Sequence, residues 1–240
     1  MKKGFWRTAL AVAALAVAVT SVAAAEETDL DRRVDKANDV MKEIMNTPDQ
    51  SIPEELLAKC KAIAIYPSVL KGSFIFGARW GKGVVLRRDE RSGKWSPVAF
   101  STIGGGSWGL QIGAQATDLI LVIMNNRGLE GLLSNNFTLG ADASVAAGPV
   151  GRSTSAATDL FLKAGIISYS RSRGVFGGVA LDGSVLTQDN NSNTRYYGKP
   201  INSRQILLDR AVEVKPSSIP LTESLEKFSQ RWAKRMGASK

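Results

Sequence analysis

The chain has 240 residues, with 31 basic and 22 acidic side chains and a formal net charge of +9 at pH 7. Its length allows one domain with a sizeable core. It contains one cysteine and no histidine, which excludes an internal disulfide, the usual Ser–His and Cys–His catalytic sets, and most zinc or copper sites. Cys60 lies among apolar residues in "ELLAKCKAIAI", a setting that predicts a buried, inert thiol.

The first 25 residues have the features of a secretory signal peptide. Three basic residues precede an apolar run from Ala9 to Val19, and Ala23 and Ala25 fit an A-x-A cleavage site. We expect cleavage near Ala25/Glu26, which would leave 28 basic and 22 acidic residues and a net charge of +6. The mature protein would then be periplasmic or secreted, and its positive charge favours peripheral association with an anionic membrane. An uncleaved anchor is the alternative, although a membrane span needs about 20 apolar residues.

Two helices are predicted next. Residues 26–46 place Leu30, Val34 and Met41 on one apolar stripe with charges opposite, and Pro48 ends the pattern. The spacing of Ser51 and Glu54 predicts a capping box that begins a second helix.

From Gly72 the pattern changes to short β-type segments separated by turn residues. Of the 23 glycines, 21 lie between Gly72 and Gly198. Short neighbouring strands favour antiparallel pairing, and strand glycines favour bulges and curvature. One short helix is predicted from Asn126 to Asn135. The sequence therefore predicts an α+β fold with a glycine-rich, mainly antiparallel curved sheet or barrel-like core and flanking N- and C-terminal helices.

Gly104, Gly106 and Gly109 match the G-x-G-x-x-G fingerprint of dinucleotide-binding turns. That fingerprint requires a helix after the glycines, whereas residues 108–117 alternate between apolar and polar side chains, which indicates a strand. We interpret the segment as strand, glycine bulge, strand, and predict no cofactor.

The segment Asp189–Asn193, "DNNSN", resembles the start of a calcium loop. Thr194 and Pro200 stand where an EF-hand needs Gly and Glu, so that motif is excluded. A polar hairpin loop and a looser calcium site are the two interpretations left open, and no metal ligand is assigned.

Because the chain has no histidine, acid–base catalysis by carboxylates is the enzymatic hypothesis that remains. Nothing in the sequence pairs any two of the acidic residues near strand ends, so a role in turns or strand ladders is the simpler interpretation of each. We predict no enzyme activity and assign no catalytic residue. The residues concerned are Asp118, Asp142, Asp159 and Asp182.

Basic residues beside aromatic ones favour an anionic partner. Residues in the strand and turn region and on the basic face of an amphipathic C-terminal helix are the candidates for contact with lipid headgroups. Ordinary solvated charges are the alternative for each, and the helix could instead dock on its own domain. The candidate lipid-binding residues are Arg79, Lys82, Arg152, Arg171, Arg173, Lys227, Arg231, Trp232, Lys234 and Arg235.

Five ordered blocks resemble the SYLF domain family, also described as a lipid-binding domain, over Ile52 to Leu208. They are "KAIAIYPSVLKGSFIFGARWGKGVV", "WSPVAFSTIGGGSWGLQIGAQATDLILVIMN", "LGADASVAAGPVGR", "SYSRSRGVFGGVALDGS" and "NTRYYG". The resemblance implies a β-rich α+β domain. Eukaryotic relatives bind phosphoinositide membranes, associate with actin and often carry an SH3 or FYVE domain. An exported bacterial protein would meet neither actin nor, ordinarily, phosphoinositides. A single cysteine cannot build FYVE zinc sites, and the chain resembles the stand-alone, exported bacterial form.

These observations divide the chain into a signal peptide (1–25), an N-terminal helix (26–50), a SYLF-like domain (51–208) and a linker with a basic amphipathic helix (209–240). The first functional hypothesis is a non-enzymatic envelope module that binds anionic phospholipid surfaces, with phosphatidylglycerol or cardiolipin as the lipids of an exported protein. The alternative is a structural or protein-interaction module with an envelope protein partner. Export argues against nucleic acid.

Overall fold

The computed structural model describes residues 29–47, 51–73, 76–108, 113–149, 164–172, 175–179 and 181–238. The predicted signal peptide lies outside these ranges. None of the helices in the described ranges combines the length and the apolar character that crossing a bilayer requires. The helices are α1 (29–46), α2 (Glu54–Lys59), α3 (Asn126–Leu132), α4 (Asn190–Tyr197), α5 (Ser203–Leu207), a short 3-10 helix (Pro216–Ser218) and α6 (Ile219–Ala238).

Over the same residues, nine strands form one sheet. Their bounds are β1 (Ala62–Ser73), β2 (Phe76–Arg87), β3 (Ala99–Trp108), β4 (Gly113–Ile123), β5 (Phe137–Thr138), β6 (Val145–Ala147), β7 (Ile166–Ser172), β8 (Val175–Gly178) and β9 (Val185–Gln188). Their order is β5-β9-β3-β2-β1-β4-β7-β6, with β8 paired to β7.

The sheet curls into a half-barrel with helices at both ends of the chain, which confirms the predicted α+β class. Its pairs are antiparallel except β6 with β7. One parallel pair is compatible with the predicted, mainly antiparallel sheet, because the connection between Ala147 and Ile166 is long enough for a parallel crossover.

Each face of the sheet packs against a buried core. In β1, Ile63 and Ile65 belong to a core shared with α1, α2 and α6, whereas Ala64 and Tyr66 belong to a second core shared with α3 and α5. The alternation follows from the two-residue period of a strand. We call the first the α1 face and the second the α3 face.

The N-terminal helix is fixed to the sheet through a bulge in β1. The pairing of β1 with β4 shifts register between Tyr66 and Val69, and Ser68 within the bulge has a φ of 56°. The Ser68 amide donates to Asp118 Oδ1 at 2.8 Å, and Asp118 Oδ2 lies 2.8 Å from Arg171 Nη2. Arg171 also forms an ion pair with Glu43 of α1. This network therefore ties α1, the bulge and β7 together.

The glycine bulge predicted in the segment of Gly104, Gly106 and Gly109 does not occur at the described glycines. Gly104, Gly105 and Gly106 lie inside β3 and pair in continuous register with β2. Gly109 lies outside the described residues. The register shifts occur in β1 instead, where the chain places Ser68 in the left-handed region.

The structure corrects two local details of the predicted helices. Ser51 is not the N-cap of α2, because α2 begins at Glu54 and has Pro53 at its N-cap, so Glu54 is the first helical residue rather than the third. A capping box forms instead at α5, between Asn202 and Gln205. The short helix predicted from Asn126 to Asn135 is confirmed as α3, which begins at Asn126 and ends at Leu132.

The predicted polar hairpin loop at "DNNSN" is a helix. Asp189 is the N-cap of α4, and its carboxylate accepts hydrogen bonds from the Ser192 amide and hydroxyl. Within the described part of the chain, no group of three or more acidic, Cys or His residues has the arrangement of a metal site.

Candidate anion-binding surface

A cavity of about 210 Å³ lies on the α1 face, between the start of α1 and the β1–β2 pair. We call it the α1–β2 cavity. Four cations and one carboxylate, that of Asp29, contribute to its lining, together with two large apolar side chains. The cations are Arg32, Arg33, Lys36 and Lys82, and the apolar residues are Leu70 and Trp80.

Arg33 is a charge held inside the protein. Its side chain is only 8% exposed, and its guanidinium stacks 5.3 Å from the centre of the Phe100 ring. Nη2 lies 3.6 Å from Asp29 and Nη1 lies 3.6 Å from Asp189. Desolvation lowers the pKa of the Arg33 guanidinium, and the two carboxylates oppose that shift. Arg33 therefore supplies a positive charge in a fixed position, and both of its ion pairs, with Asp29 and Asp189, are 3.6 Å long.

The other cations of the cavity are at the surface. Lys36 and Lys82 are exposed, and neither has a carboxylate within ion-pair distance among the residues described. Arg32 is paired with Asp29 at 3.6 Å across one helical turn, an exposed contact that is worth little in water. The surface of the cavity thus carries a net positive charge open to solvent.

An apolar pair adjoins these cations. Leu70 and Trp80 are cross-strand partners in β1 and β2, and their side chains are 56% and 51% exposed. The ammonium of Lys82 lies 5.4 Å from the centre of the Trp80 ring, which is the geometry of a cation–π contact. Exposed large apolar side chains are unfavourable in water, so their position beside free cations points to a binding surface.

A family model described as "Ysc84: Las17-binding protein actin regulator" matches residues 104–228, just over half of the chain. This chain belongs to the Ysc84 family. The resemblance to the SYLF family is thereby confirmed. The described role of the Ysc84 family is binding and regulation, not catalysis.

Several Ysc84-family relatives align over most of this chain. The SH3 domain-containing YSC84-like protein 1 of Bos taurus is 34% identical over 188 residues, which are 78% of this chain and 54% of that protein. Protein YSC84 of Saccharomyces cerevisiae is 36% identical over 182 residues, which are 74% of this chain and 38% of that protein. LAS seventeen-binding protein 3 of the same yeast species is 34% identical over 182 residues, covering 74% of this chain and 39% of that protein.

Two of the predicted lipid-binding residues on strands, Lys82 and Arg79, lie on opposite faces of the sheet in this Ysc84-family fold. Lys82 lines the α1–β2 cavity, whereas Arg79 lies half-buried on the α3 face, where its Nη1 donates to Ser184 Oγ at 2.9 Å. Arg171 is occupied by Asp118 and Glu43. Arg152 and Arg173 lie outside the described residues.

The C-terminal helix α6 is docked. Leu221, Leu225 and Phe228 are buried in the core of the α1 face. The Trp232 ring faces Lys59 of α2, with the ammonium 5.2 Å from the ring centre. The apolar stripe of α6 is therefore covered by its own domain over these residues.

The basic residues predicted on α6 are not gathered into one site. Lys227 and Lys234 are exposed, and the Arg231 guanidinium lies 4.7 Å from the centre of the Phe228 ring. The side chain of Arg235 lies outside the described part. These residues remain predictions as lipid contacts.

Two of the acidic residues considered for carboxylate chemistry have structural contacts. Asp118 holds the bulge and Arg171, and Asp142 Oδ2 accepts from the Thr138 amide at 2.7 Å. Asp182 is exposed in a turn, and Asp159 lies outside the described residues.

Sequence reasoning missed Arg32, Arg33, Lys36 and Leu70. A signal for Arg33 was present, because it is three residues after Leu30 and four before Ala37, on the stripe that the helical period buries. A charge in that position indicates a buried guanidinium with a specific environment. The approach of α1 to Lys82 has no local signal, because it depends on how the helix crosses the sheet.

Proposed function

We propose that this Ysc84-family chain is a non-enzymatic binding module whose ligand is an anionic phospholipid surface. The observation that carries the proposal is the α1–β2 cavity, where Lys36 and Lys82 adjoin exposed Leu70 and Trp80 and have no carboxylate within ion-pair distance among the described residues. A polyanionic surface with an apolar interior complements both parts of this arrangement.

The two parts contribute in different ways. Each Lys or Arg near an anionic membrane contributes about 1 kcal/mol, and this attraction decays within a Debye length. Trp is favoured at the boundary between headgroups and acyl chains, where its ring is buried and its N–H stays hydrated. Trp80 and Leu70 would insert at that boundary while the cations of the cavity contact phosphate groups.

The expected location decides which lipids are relevant. Cleavage of the predicted signal peptide near Ala25/Glu26 would place the module in the periplasm or outside the cell, where phosphatidylglycerol and cardiolipin are the anionic lipids. N-terminal sequencing of the protein from an envelope fraction tests this part: a start at Glu26 supports it, and a start at Met1 contradicts it.

Co-sedimentation of the purified protein with vesicles tests the function. One vesicle set contains neutral lipid and the other contains phosphatidylglycerol with cardiolipin, each over a salt series. We expect binding to the anionic vesicles alone, weakening as salt rises. Absent binding, or binding that salt does not change, would contradict the proposal.

A protein partner is the second candidate function. The names of the relatives, such as LAS seventeen-binding protein 3, describe protein binding, and the exposed Leu70–Trp80 pair is also suited to a protein contact. This alternative predicts a defined complex in envelope extracts that a Trp80→Ala variant fails to form, together with no preference for anionic vesicles.

A further inference from the structure

A second cavity of about 190 Å³ lies on the α3 face, opposite the α1–β2 cavity. Its apolar part is formed by Val69, Leu119, Val179 and Leu181. Its polar part contains two cations, Lys71 and Arg79, and three hydroxyl groups, those of Thr117, Ser170 and Ser172. We call it the Arg79 cavity.

The two cations stand side by side. Lys71 of β1 and Arg79 of β2 are direct cross-strand partners, an arrangement in which like charges destabilise a sheet. No carboxylate among the described residues lies within ion-pair distance of either one. The Arg79 guanidinium donates to the neutral Ser184 hydroxyl, which does not cancel its charge.

The partial burial of Arg79 strengthens its interaction with an anion in the cavity. Arg79 is half-buried, and desolvation lowers the pKa of its guanidinium. Charge-assisted hydrogen bonds from a guanidinium, an ammonium and neighbouring hydroxyls are the interactions that recognise oxyanions. An oxyanion between Lys71 and Arg79 would relieve their repulsion and complete the hydrogen bonding of both.

We propose that the Arg79 cavity binds an oxyanion that carries a short apolar group, such as the carboxylate or phosphate head of an anionic amphiphile with its first carbons. The apolar residues Val69, Leu119 and Leu181 are nearly fully buried and would contact the carbons. A cavity of about 190 Å³ is smaller than the roughly 300–1,000 Å³ of sites for drug-sized ligands, so a longer chain would extend outside it.

This site is separate from the proposed membrane surface. Arg79 and Lys82 are three residues apart on β2, and their side chains lie on opposite faces of the sheet. A ligand in the Arg79 cavity therefore does not require membrane contact at Lys82, and the two proposals can fail independently.

Titration calorimetry of the purified protein with soluble probes, below their critical micelle concentrations, tests the inference. Octanoate and octyl phosphate present the two oxyanion heads on the same apolar chain. Inorganic phosphate lacks the chain, and octanol lacks the charge. We expect at least one of the two anionic amphiphiles to bind at least tenfold more tightly than octanol and inorganic phosphate, and their ratio identifies the preferred head.

Single variants locate the site. Lys71→Gln and Arg79→Gln should each weaken binding of the preferred anionic probe at least tenfold, because each removes a charge-assisted hydrogen bond. Lys82→Gln is the matched control on the other face of β2 and should bind like the wild type. Removing one of two opposed like charges should leave the melting temperature of the free protein unchanged or raised, which shows that the variants fold. Equal affinity for octanol and both anions, or unchanged affinity in both cavity variants, would overturn the inference.

Discussion

Gly83 of β2 lies where β1 leaves no room for a side chain. A Cβ atom added there would overlap the Ile65 carbonyl oxygen and the Tyr66 ring. Gly104 of β3 differs, because an added Cβ would meet only the Arg79 carbonyl oxygen, at 3.9 Å. The two glycines are therefore not equivalent, although both lie within strands.

We expect Gly83→Ala to lower the free energy of unfolding by about 2 kcal/mol, because the backbone of β1 must move to accept the methyl group. Gly104→Ala is the control and should change it by less than about 1 kcal/mol. Urea unfolding followed by circular dichroism measures both. Equal losses in the two variants would show that the contact at Gly83 is not the cause.

Cys60 is a buried thiol, as the sequence predicts. Its Sγ donates to the Leu57 carbonyl at 3.3 Å, and burial raises the pKa of the thiol to about 12, with Arg88 opposing the shift. We expect no labelling of the native protein by iodoacetamide at pH 8 and full labelling in urea. Rapid native labelling, followed by mass spectrometry, would contradict the burial of this residue.

The raised pKa of Cys60 also gives a sign for the pH dependence of stability. The unfolded chain loses the thiol proton first, near pH 9, whereas the folded protein holds it until about pH 12. This group therefore contributes its full stabilisation below pH 9 and loses it as the pH rises between these values.

At the scale of elements, α4 uses polar side chains to complete the sheet. The buried Asn193 Oδ1 accepts from the Phe100 amide of β3 at 2.8 Å, and Asn193 Nδ2 donates to Ser203 Oγ at 3.2 Å. The helix thus satisfies a backbone donor of β3 that would otherwise be buried without a partner.

We expect Asn193→Ala to lower the free energy of unfolding by about 1–3 kcal/mol, the usual cost of leaving a buried amide without its acceptor. Asn191→Ala changes an exposed residue of the same helix and should have an effect below about 0.5 kcal/mol. Thermal unfolding distinguishes the variants. A similar loss in both would mean that helix propensity, not the hydrogen bond to β3, explains the effect.

The same helix shows where sequence reasoning reaches its limit. α1 and α6 were predictable because their apolar residues recur with the helical period and pack on one core. "DNNSN" has no apolar stripe, and its residue types favour turns, so a loop was the expected structure. What makes it helical is the Asp189 cap together with tertiary contacts of Asn193, and the partner Phe100 is far away in the sequence.

At the scale of the whole molecule, the candidate site was predicted in part. Lys82 and its neighbour Trp80 were recognisable as a cation beside an aromatic residue. Arg33 and Lys36 join them only because α1 crosses the sheet above β2, which no local pattern reports. The two-residue period of a strand places Arg79 and Lys82 on opposite faces. The sequence alone could therefore have shown that these two residues do not contact the same lipid surface.

Which part of the molecule faces the membrane is decided by comparing two pairs of lysines. Lys36 and Lys82 are exposed beside the unburied Leu70–Trp80 pair, whereas Lys227 and Lys234 are exposed on a helix whose apolar stripe is already covered by the domain. Both pairs offer long-range attraction, but among the side chains that the structure describes only the first pair lines a cavity with exposed apolar residues.

We therefore expect the double variant Lys36→Gln, Lys82→Gln to bind anionic vesicles about thirtyfold more weakly, which corresponds to about 1 kcal/mol for each lysine. Its binding should also depend less steeply on salt. The variant Lys227→Gln, Lys234→Gln removes the same charge and should lose less than about threefold, because these two lysines do not line the α1–β2 cavity that would contact the lipid. Co-sedimentation measures both variants. A larger loss in the second variant would place the membrane contact on α6, and the α1–β2 cavity would then need a different ligand to explain its exposed Trp80.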